Sequence, residues 1–166
     1  MNPLAAVIRR YGRTRWLVGF GRRMVPLDAA VQRRTGGRIT MISLAGNRGL
    51  LLTTTGHRSG QPRSVPLLYV PTREGYLVAA SNFGDPHHPA WSTNLLANPS
   101  ATVLLHGHTE RVNARLTEGD ERARLWRVLA AVWPAFDSYA ERSGRHIRVF
   151  LLTPADTHSR SFVFPA

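Results

Sequence analysis

Eight consecutive residues, Gly56-His57-Arg58-Ser59-Gly60-Gln61-Pro62-Arg63, gather two glycines, an imidazole, a hydroxyl and two guanidiniums. Glycine lets backbone N–H groups come close to an anion, and arginine offers a planar fork matched to phosphate or carboxylate. The segment therefore reads as an anion cradle, with a solvated hairpin loop as the commoner alternative for these residue types. It is not a Walker loop, because Gln61 follows Gly60 where a lysine belongs and the chain then enters a strand. A second cluster, Ser81-Asn82-Phe83-Gly84-Asp85-Pro86-His87-His88-Pro89-Ala90-Trp91, collects hydroxyl, amide, imidazole and indole groups. Ser81, Asp85 and His87 have the residue types of a hydrolytic triad, but no nucleophile elbow surrounds Ser81, and three residues this close in sequence seldom align. His106 and His108 would share one face of a strand. With no third ligand identifiable, no metal site is assigned, and turn and cap roles suit the histidines better.

These loops must be positioned by a chain of 166 residues, a length that fits one domain with a sizeable core. Leucine-rich and β-branched runs predict strands over Leu50–Thr55, Val65–Val70, Tyr76–Ser81, Thr102–His106, Arg111–Leu116 and Ile147–Leu152, with turns at Arg73-Glu74-Gly75 and Gly107 between them. Trp91–Ala97 is a predicted helix stopped by Asn98-Pro99. Thr117 and Asp120 are spaced as a capping box, and Leu125, Leu129, Val132 and Trp133 then recur on one helical face; Tyr139–Gly144 close that helical region. Six strands with no alternating strand-helix order predict a mainly β protein, an antiparallel barrel with helices attached, and argue against a doubly wound sheet. The expected division is a basic helical arm at 1–48, the barrel at 49–154 and a tail at 155–166.

The charge balance narrows the partners. Twenty-two cations, all of them arginine, against ten carboxylates give a net charge of +12, so the chain should attract anions: nucleic acid, a membrane surface or a small polyanion. The absence of cysteine excludes disulfides, thiolate nucleophiles, iron–sulfur clusters and thiolate zinc sites. In the arm, Arg9, Arg10, Arg13, Arg15, Arg22, Arg23, Arg33, Arg34 and Arg38 stand among apolar residues, the pattern of short basic amphipathic helices. Gly12, Gly19 and Gly21 are expected to interrupt any long helix. The arm is expected to pack across its own domain, with contact to an anionic membrane face as the alternative. The apolar run Trp16–Phe20 is too short for a signal sequence or a spanning helix, which makes a cytoplasmic location the expectation.

In order and spacing, Leu51–Arg63, Pro66-Leu67, Ala79-Ala80-Ser81, His88-Pro89-Ala90-Trp91, Asn94-Leu95 and Ala97-Asn98-Pro99 together resemble the deazaflavin-dependent nitroreductase family of actinobacteria. The resemblance runs from about Thr35 to Pro154. It implies a split β-barrel similar to those of flavin-mononucleotide-binding (FMN-binding) oxidoreductases, and coenzyme F420, rather than FMN, as the cofactor. By that resemblance His57, Arg58 and Ser59 meet the phosphate or the oligoglutamate tail, and Arg63, Ser64, Val65, Pro66, Leu67 and Leu68 run along the phosphate and ring. Ala79, Ala80, Ser81, Asn82, Ala90, Trp91 and Asn94 complete the pocket. Asn82 departs from the family pattern, in which lysine is frequent. The implied activity is transfer of a hydride from the reduced deazaflavin to an activated double bond, a quinone or a nitro-type electrophile, with Ser81 and Tyr139 as proton sources. Trp133, Phe136 and Tyr139 stand where nitroimidazole-reducing relatives tend to carry tyrosines, so an aromatic floor for the substrate is implied and nitroimidazole reduction is not expected. The competing readings are a split barrel that binds FMN or haem and a non-catalytic basic membrane module. Nucleic acid is not an expected partner, since no recognised binding motif is present. Monomer and homodimer both stay open.

Overall fold

The computed structural model describes residues 15–155 apart from Ile39 and Ala45. The predicted tail from 156 onward and the first fourteen residues of the arm lie outside the described residues. Among those described, helix α1 (Arg15–Thr35) and a single turn α2 (Met41–Leu44) precede strands β1 (Gly49–Thr55), β2 (Pro62–Leu68), β3 (Val70–Pro71) and β4 (Tyr76–Ala79). Then come a 3-10 turn (Asn82–Gly84), α3 (Ala90–Ala97), β5 (Ser100–Leu105), β6 (His108–Leu116), α4 (Gly119–Val132), α5 (Ala135–Ser143) and β7 (Val149–Pro154). All pairings are antiparallel, in the order β2-β1-β5-β6-β7-β4-β3.

That order corrects the expected six strands to seven and explains how the sheet closes. The run expected as one strand, Val65–Val70, is two: β2 pairs with β1 at one edge of the sheet, while Val70 pairs with Leu77 at the other. Tyr69 joins the two edges, so the sheet must curl until they meet. Its ring is buried and stands edge-on to Tyr76, with centroids 5.4 Å apart. Pro62 and Pro66 lie on β2, as suits an edge strand whose N–H groups cannot all enter a ladder. The final strand also begins two residues later than Ile147, which the second core takes instead.

Side chains alternate between two cores, as the period of a strand requires. Leu50, Leu52, Val78, Val103, Val112 and Phe150 fill the inside of the curled sheet, joined by Trp91 and Leu95 from α3. On the outer face of β4 and β7, Leu77, Ala79 and Val149 meet Leu129, Phe136 and Tyr139 from α4 and α5. Two local expectations are overturned. Thr117 does not cap α4: its hydroxyl donates to the Val149 carbonyl (3.1 Å), and Glu118 takes the cap position without a side-chain bond. Gly19 and Gly21 do not interrupt the arm, which is a 21-residue helix despite them and despite Pro26. A helical glycine costs only about 1 kcal/mol relative to alanine, and α1 packs on β1 and β2 with Asp28, Ala29 and Gln32 buried.

Candidate functional site

At one end of the barrel a cleft of about 610 Å³ opens between the β1–β2 loop, β2 and the start of α3. Its walls bring together His57, Arg58, Ser59, Arg63, Ser64, Val65, Asn82, Ala90, Trp91 and Asn94, all expected site residues, and none of its lining residues is acidic. The loop is built for a tight return. The Gly56 N–H donates to the Gln61 carbonyl (2.8 Å), the Gly60 N–H to the Gly56 carbonyl (2.7 Å), and Gly60 takes a φ of +64°. A Cβ on Gly56 would stand 2.6 Å from the Ser59 hydroxyl oxygen and 3.2 Å from the Gln61 carbonyl oxygen, so a side chain there would have to turn Ser59 aside and crowd the return. The backbone N–H groups of Arg58 and Ser59 donate to no protein acceptor among the described residues, and neither Arg58 nor Arg63 is ion-paired there. Two exposed guanidiniums and two free N–H groups, on the loop and the first residues of β2, have the chemistry that can hold an anion.

Asn94 ties this loop to α3. Its side-chain oxygen accepts from the His57 backbone N–H (3.0 Å) and lies 2.9 Å from His57 Nδ1, while its amide nitrogen donates to the Thr54 hydroxyl (3.0 Å). Because that oxygen can only accept, the His57 ring carries its proton on Nδ1 and leaves Nε2 open. Asn94 therefore acts on the cleft by holding His57, although it also lines the wall. Thr53 and Ser64, opposite each other in the ladder, share a hydroxyl–hydroxyl bond of 2.9 Å that steadies β2 behind the cleft.

The far wall comes from the loop between β4 and α3, and Arg145 organises it. Its Nε donates to the Asp85 carbonyl (3.0 Å), its Nη2 to the carbonyls of Ala80 (3.0 Å) and Ser81 (2.9 Å), and its Nη1 lies 3.0 Å from His88 Nδ1. Asn82 and Phe83, between those carbonyls, have φ of +48° and +54°, the left-handed region that costs a residue with a side chain. Sequence reasoning missed Arg145 altogether, as well as Arg148, which donates to the Ser92 hydroxyl (3.3 Å). Gly56, His88 and Pro89 also line the cleft without having been assigned to it. Gly56 had been read as a glycine of the anion cradle, whereas the only signal for His88 and Pro89 was their place in the segments that carry the family resemblance.

The remaining expected residues fall elsewhere. Pro66, Leu67, Leu68, Ala79, Ala80 and Ser81 do not line the cleft. Val65 and Leu67 pack against the first core, Ala80 is fully buried within it, and Leu68 and Ala79 belong to the second. Phe136 and Tyr139 are each 5% exposed in the second core, with Trp133 half-buried beside them. The Tyr139 hydroxyl is held above its ordinary pKa by burial, opposed by a hydrogen bond with Trp133 and by the Arg142 charge. The aromatic group meets the cleft loop through Phe83, whose ring centroid is 6.4 Å from that of Tyr139, and through Gly84, where an added Cβ would stand 3.2 Å from the Tyr139 Cα. His106 sits in the hairpin turn with φ of +49°, not on a strand face with His108, because Leu105 already pairs with His108. His87 meets Asp85 at 3.2 Å but is exposed, and Ser81 takes no part in that pair.

The cationic crowding near the cleft has a consequence for stability. His88 is held below the usual 6.5 by burial first, then by Arg148, Arg145 and His146; His146 is lowered by burial and then by Arg122. Both imidazoles resist protonation in the folded protein, so the unfolded chain binds more protons just below pH 6.5, and stability rises with pH through that window. Thermal melts at constant ionic strength should show a melting temperature that falls as pH drops below 6.5, more gently in a His88→Gln/His146→Gln double variant. An unchanged slope in that variant would assign the acid sensitivity to other groups.

Comparison with known proteins supplies a context for this geometry. Residues 24–154 match the protein family described as F420H(2)-dependent quinone reductase. An F420H(2)-dependent quinone reductase of Mycobacterium tuberculosis is 34% identical over 144 residues, spanning 84% of this chain and 97% of that protein. A solved structure of an F420-H2 dependent reductase superimposes with a TM-score of 0.58 at 37% identity, over 63% of this chain and 92% of its own. Another, described as a domain-swapped dimer, has the same TM-score and identity over 63% of this chain and 78% of its own. HutZ, a haem storage protein of Vibrio cholerae, shares the fold alone, with a TM-score of 0.52 and 19% identity over 66% of this chain and 83% of that one.

Proposed function

The chain belongs to the F420H(2)-dependent quinone reductase family, oxidoreductases with coenzyme F420 as cofactor, and we propose that it reduces a quinone-type acceptor with the reduced coenzyme held in the cleft of Arg58, Arg63 and Trp91. The observation that carries this reading is the match between cleft and cofactor chemistry. The coenzyme joins a flat ring system to a phosphate and a chain of carboxylates. The cleft offers unpaired guanidiniums and N–H groups at one wall, the Trp91 and Val65 side chains at another, and no lining carboxylate to repel the tail.

In this reading His57, Arg58, Ser59 and Arg63 hold the phosphate and tail, while Ser64, Val65, Asn82, Ala90 and Trp91 bound the ring. Leu67, Leu68, Ala79 and Ala80 shape that wall from behind, through the cores they pack in, and Pro66 through its place on β2. Asn94 keeps His57 in place. When bound in reduced form the deazaflavin supplies a hydride, two electrons at once, and, with carbon in place of the flavin N5, reacts poorly with oxygen. The protein's part is to orient the reacting carbon against the acceptor and to exclude water. Conversion of a quinone to its hydroquinone needs one proton besides the hydride. Ser81 does not itself line the cleft but adjoins the lining residue Asn82, and in this reading it would pass that proton from solvent. Tyr139 is a weaker candidate, because its hydroxyl lies in the second core.

Among the described residues no helix is long and apolar enough to cross a membrane. The arginines between Arg9 and Arg38 would support peripheral attachment to an anionic membrane face, where apolar quinones reside. The likeness to a domain-swapped dimer supports a homodimer as the assembly.

Titration of the purified protein with oxidised coenzyme F420, read by tryptophan quenching with FMN in parallel, tests the proposal. Tight binding of the deazaflavin over FMN, followed by consumption of the reduced coenzyme on adding a short-chain quinone, is the expected result. Preference for FMN, or binding of neither, would overturn it.

A further inference from the structure

We infer that His88 is a coenzyme-recognition residue whose ring, locked by Arg145 with its proton on Nε2, donates that N–H to an oxygen of the coenzyme bound in the cleft. The inference rests on the cleft being the coenzyme site, and it concerns a side chain that neither the motif resemblance nor the anion cradle assigns. A guanidinium has no acceptor, so the 3.0 Å contact of Arg145 Nη1 with His88 Nδ1 makes Nδ1 the lone-pair nitrogen. The proton of the neutral ring then sits on Nε2, which has no protein partner among the described residues, and His88 lines the cleft. Arg145 cannot follow the ring elsewhere, because its other nitrogens are committed to the carbonyls of Ala80, Ser81 and Asp85. On the carbon side Pro89 caps α3 with an extended backbone, which fixes where the ring enters the wall.

The surroundings select what Nε2–H can meet. Arg145, Arg148 and His146 face His88, and Asp85, the carboxylate of this loop, is engaged by the His87 N–H at 2.8 Å. The Arg145 and Arg148 guanidiniums disfavour a cationic partner and favour an electron-rich oxygen. Burial first, and then those charges, hold the His88 pKa below 6.5, so the ring is neutral and the donor present above that pH. The acceptor class is therefore a carbonyl, hydroxyl or phosphoryl oxygen of the coenzyme, in the cleft that Arg58 and Arg63 also line.

Two isosteric substitutions separate recognition from support. His88→Asn keeps an acceptor near the Nδ1 position for Arg145 but has no donor at the ε position, whereas His88→Gln carries an amide N–H near Nε2. Titrations with oxidised coenzyme F420 should give about tenfold weaker binding for His88→Asn and a loss of no more than about threefold for His88→Gln. Repeating both with the ribityl deazaflavin fragment, which lacks the phosphate and glutamates, locates the acceptor: a penalty in both ligands places it on the ring or ribityl chain, and a penalty only with the intact coenzyme places it on the phosphate or tail. An unchanged affinity in His88→Asn, or a loss in His88→Gln alone, would overturn the inference and leave His88 as a mere support for Arg145. Long-range 1H–15N spectra of the wild-type protein provide an independent readout. They should show His88 protonated on Nε2 before coenzyme is added, with the Nε2 resonance shifting on binding; a proton on Nδ1 overturns the inference. Wild-type protein that binds no deazaflavin would instead overturn the reading of the cleft itself.

Discussion

Replacement of Arg145 by methionine is expected to lower the melting temperature by roughly 6–12 °C, from a loss of about 3 kcal/mol in a chain of this size. The side chain donates to three backbone carbonyls and one imidazole, and methionine fills its volume while donating nothing. Removing the donors strands the Ala80, Ser81 and Asp85 carbonyls. Because Arg145 is only half-buried, water recovers part of each bond, which keeps the figure well below the sum of four charged hydrogen bonds. The clamp also works against strain. Ser81 and Asp85 bracket the left-handed residues Asn82 and Phe83, each costing about 1 kcal/mol or more. Without Arg145 the cheaper course is for that loop to relax, and it carries one wall of the cleft. Coenzyme affinity should therefore fall together with stability, by at least tenfold. Scanning calorimetry and a coenzyme titration on the same protein check both. A melting temperature within about 1 °C of wild type would show that the clamp adds nothing.

Arg145 also shows where sequence reasoning stops. Its partners lie between 57 and 65 positions away, and three of the four are backbone carbonyls, which any residue type can supply. No spacing rule reaches such a contact. The tight β1–β2 loop was legible for the opposite reason: Gly56, Gly60 and the two arginines lie within eight residues, and the turn they make at the cleft is local. Closure of the barrel was not, since Leu67-Leu68-Tyr69-Val70 continues one apolar run while the pairing partner changes from β1 to β4. That switch is decided by register across the whole sheet. The apparent capping box failed to a similar competitor, the Val149 carbonyl, 32 residues beyond Thr117. Trp133, Phe136 and Tyr139 follow helical spacing, which serves a packed core as well as a pocket floor, and burial of the latter two lies on the core side. The glycines of α1 illustrate the weakness of propensity alone, because packing on β1 and β2 outweighs a penalty of about 1 kcal/mol at each.

The cofactor reading has its sharpest consequence in the double variant Arg58→Ala/Arg63→Ala. Both guanidiniums are exposed, line the cleft and lack an acidic partner among the described residues, so their removal leaves no buried charge stranded and should change the melting temperature little. Their effect should fall on the ligand instead. Two charge-assisted contacts to a polyanion, discounted for solvent exposure, amount to about 2.5 kcal/mol, or roughly seventyfold in affinity. Salt dependence separates this charge effect from a change of shape. Wild-type affinity should weaken markedly between low and high ionic strength as the tail and loop are screened, while the double variant, already weak, should respond much less. The ribityl deazaflavin fragment completes the argument, since it has no anionic tail for Arg58 and Arg63 to hold and should bind both proteins almost equally. Equal affinity of the two proteins for the intact coenzyme would remove the loop from the site. A large loss that also appeared with the fragment would place the arginines against the ring, and the polyanion would then have to be held elsewhere on this arginine-rich surface.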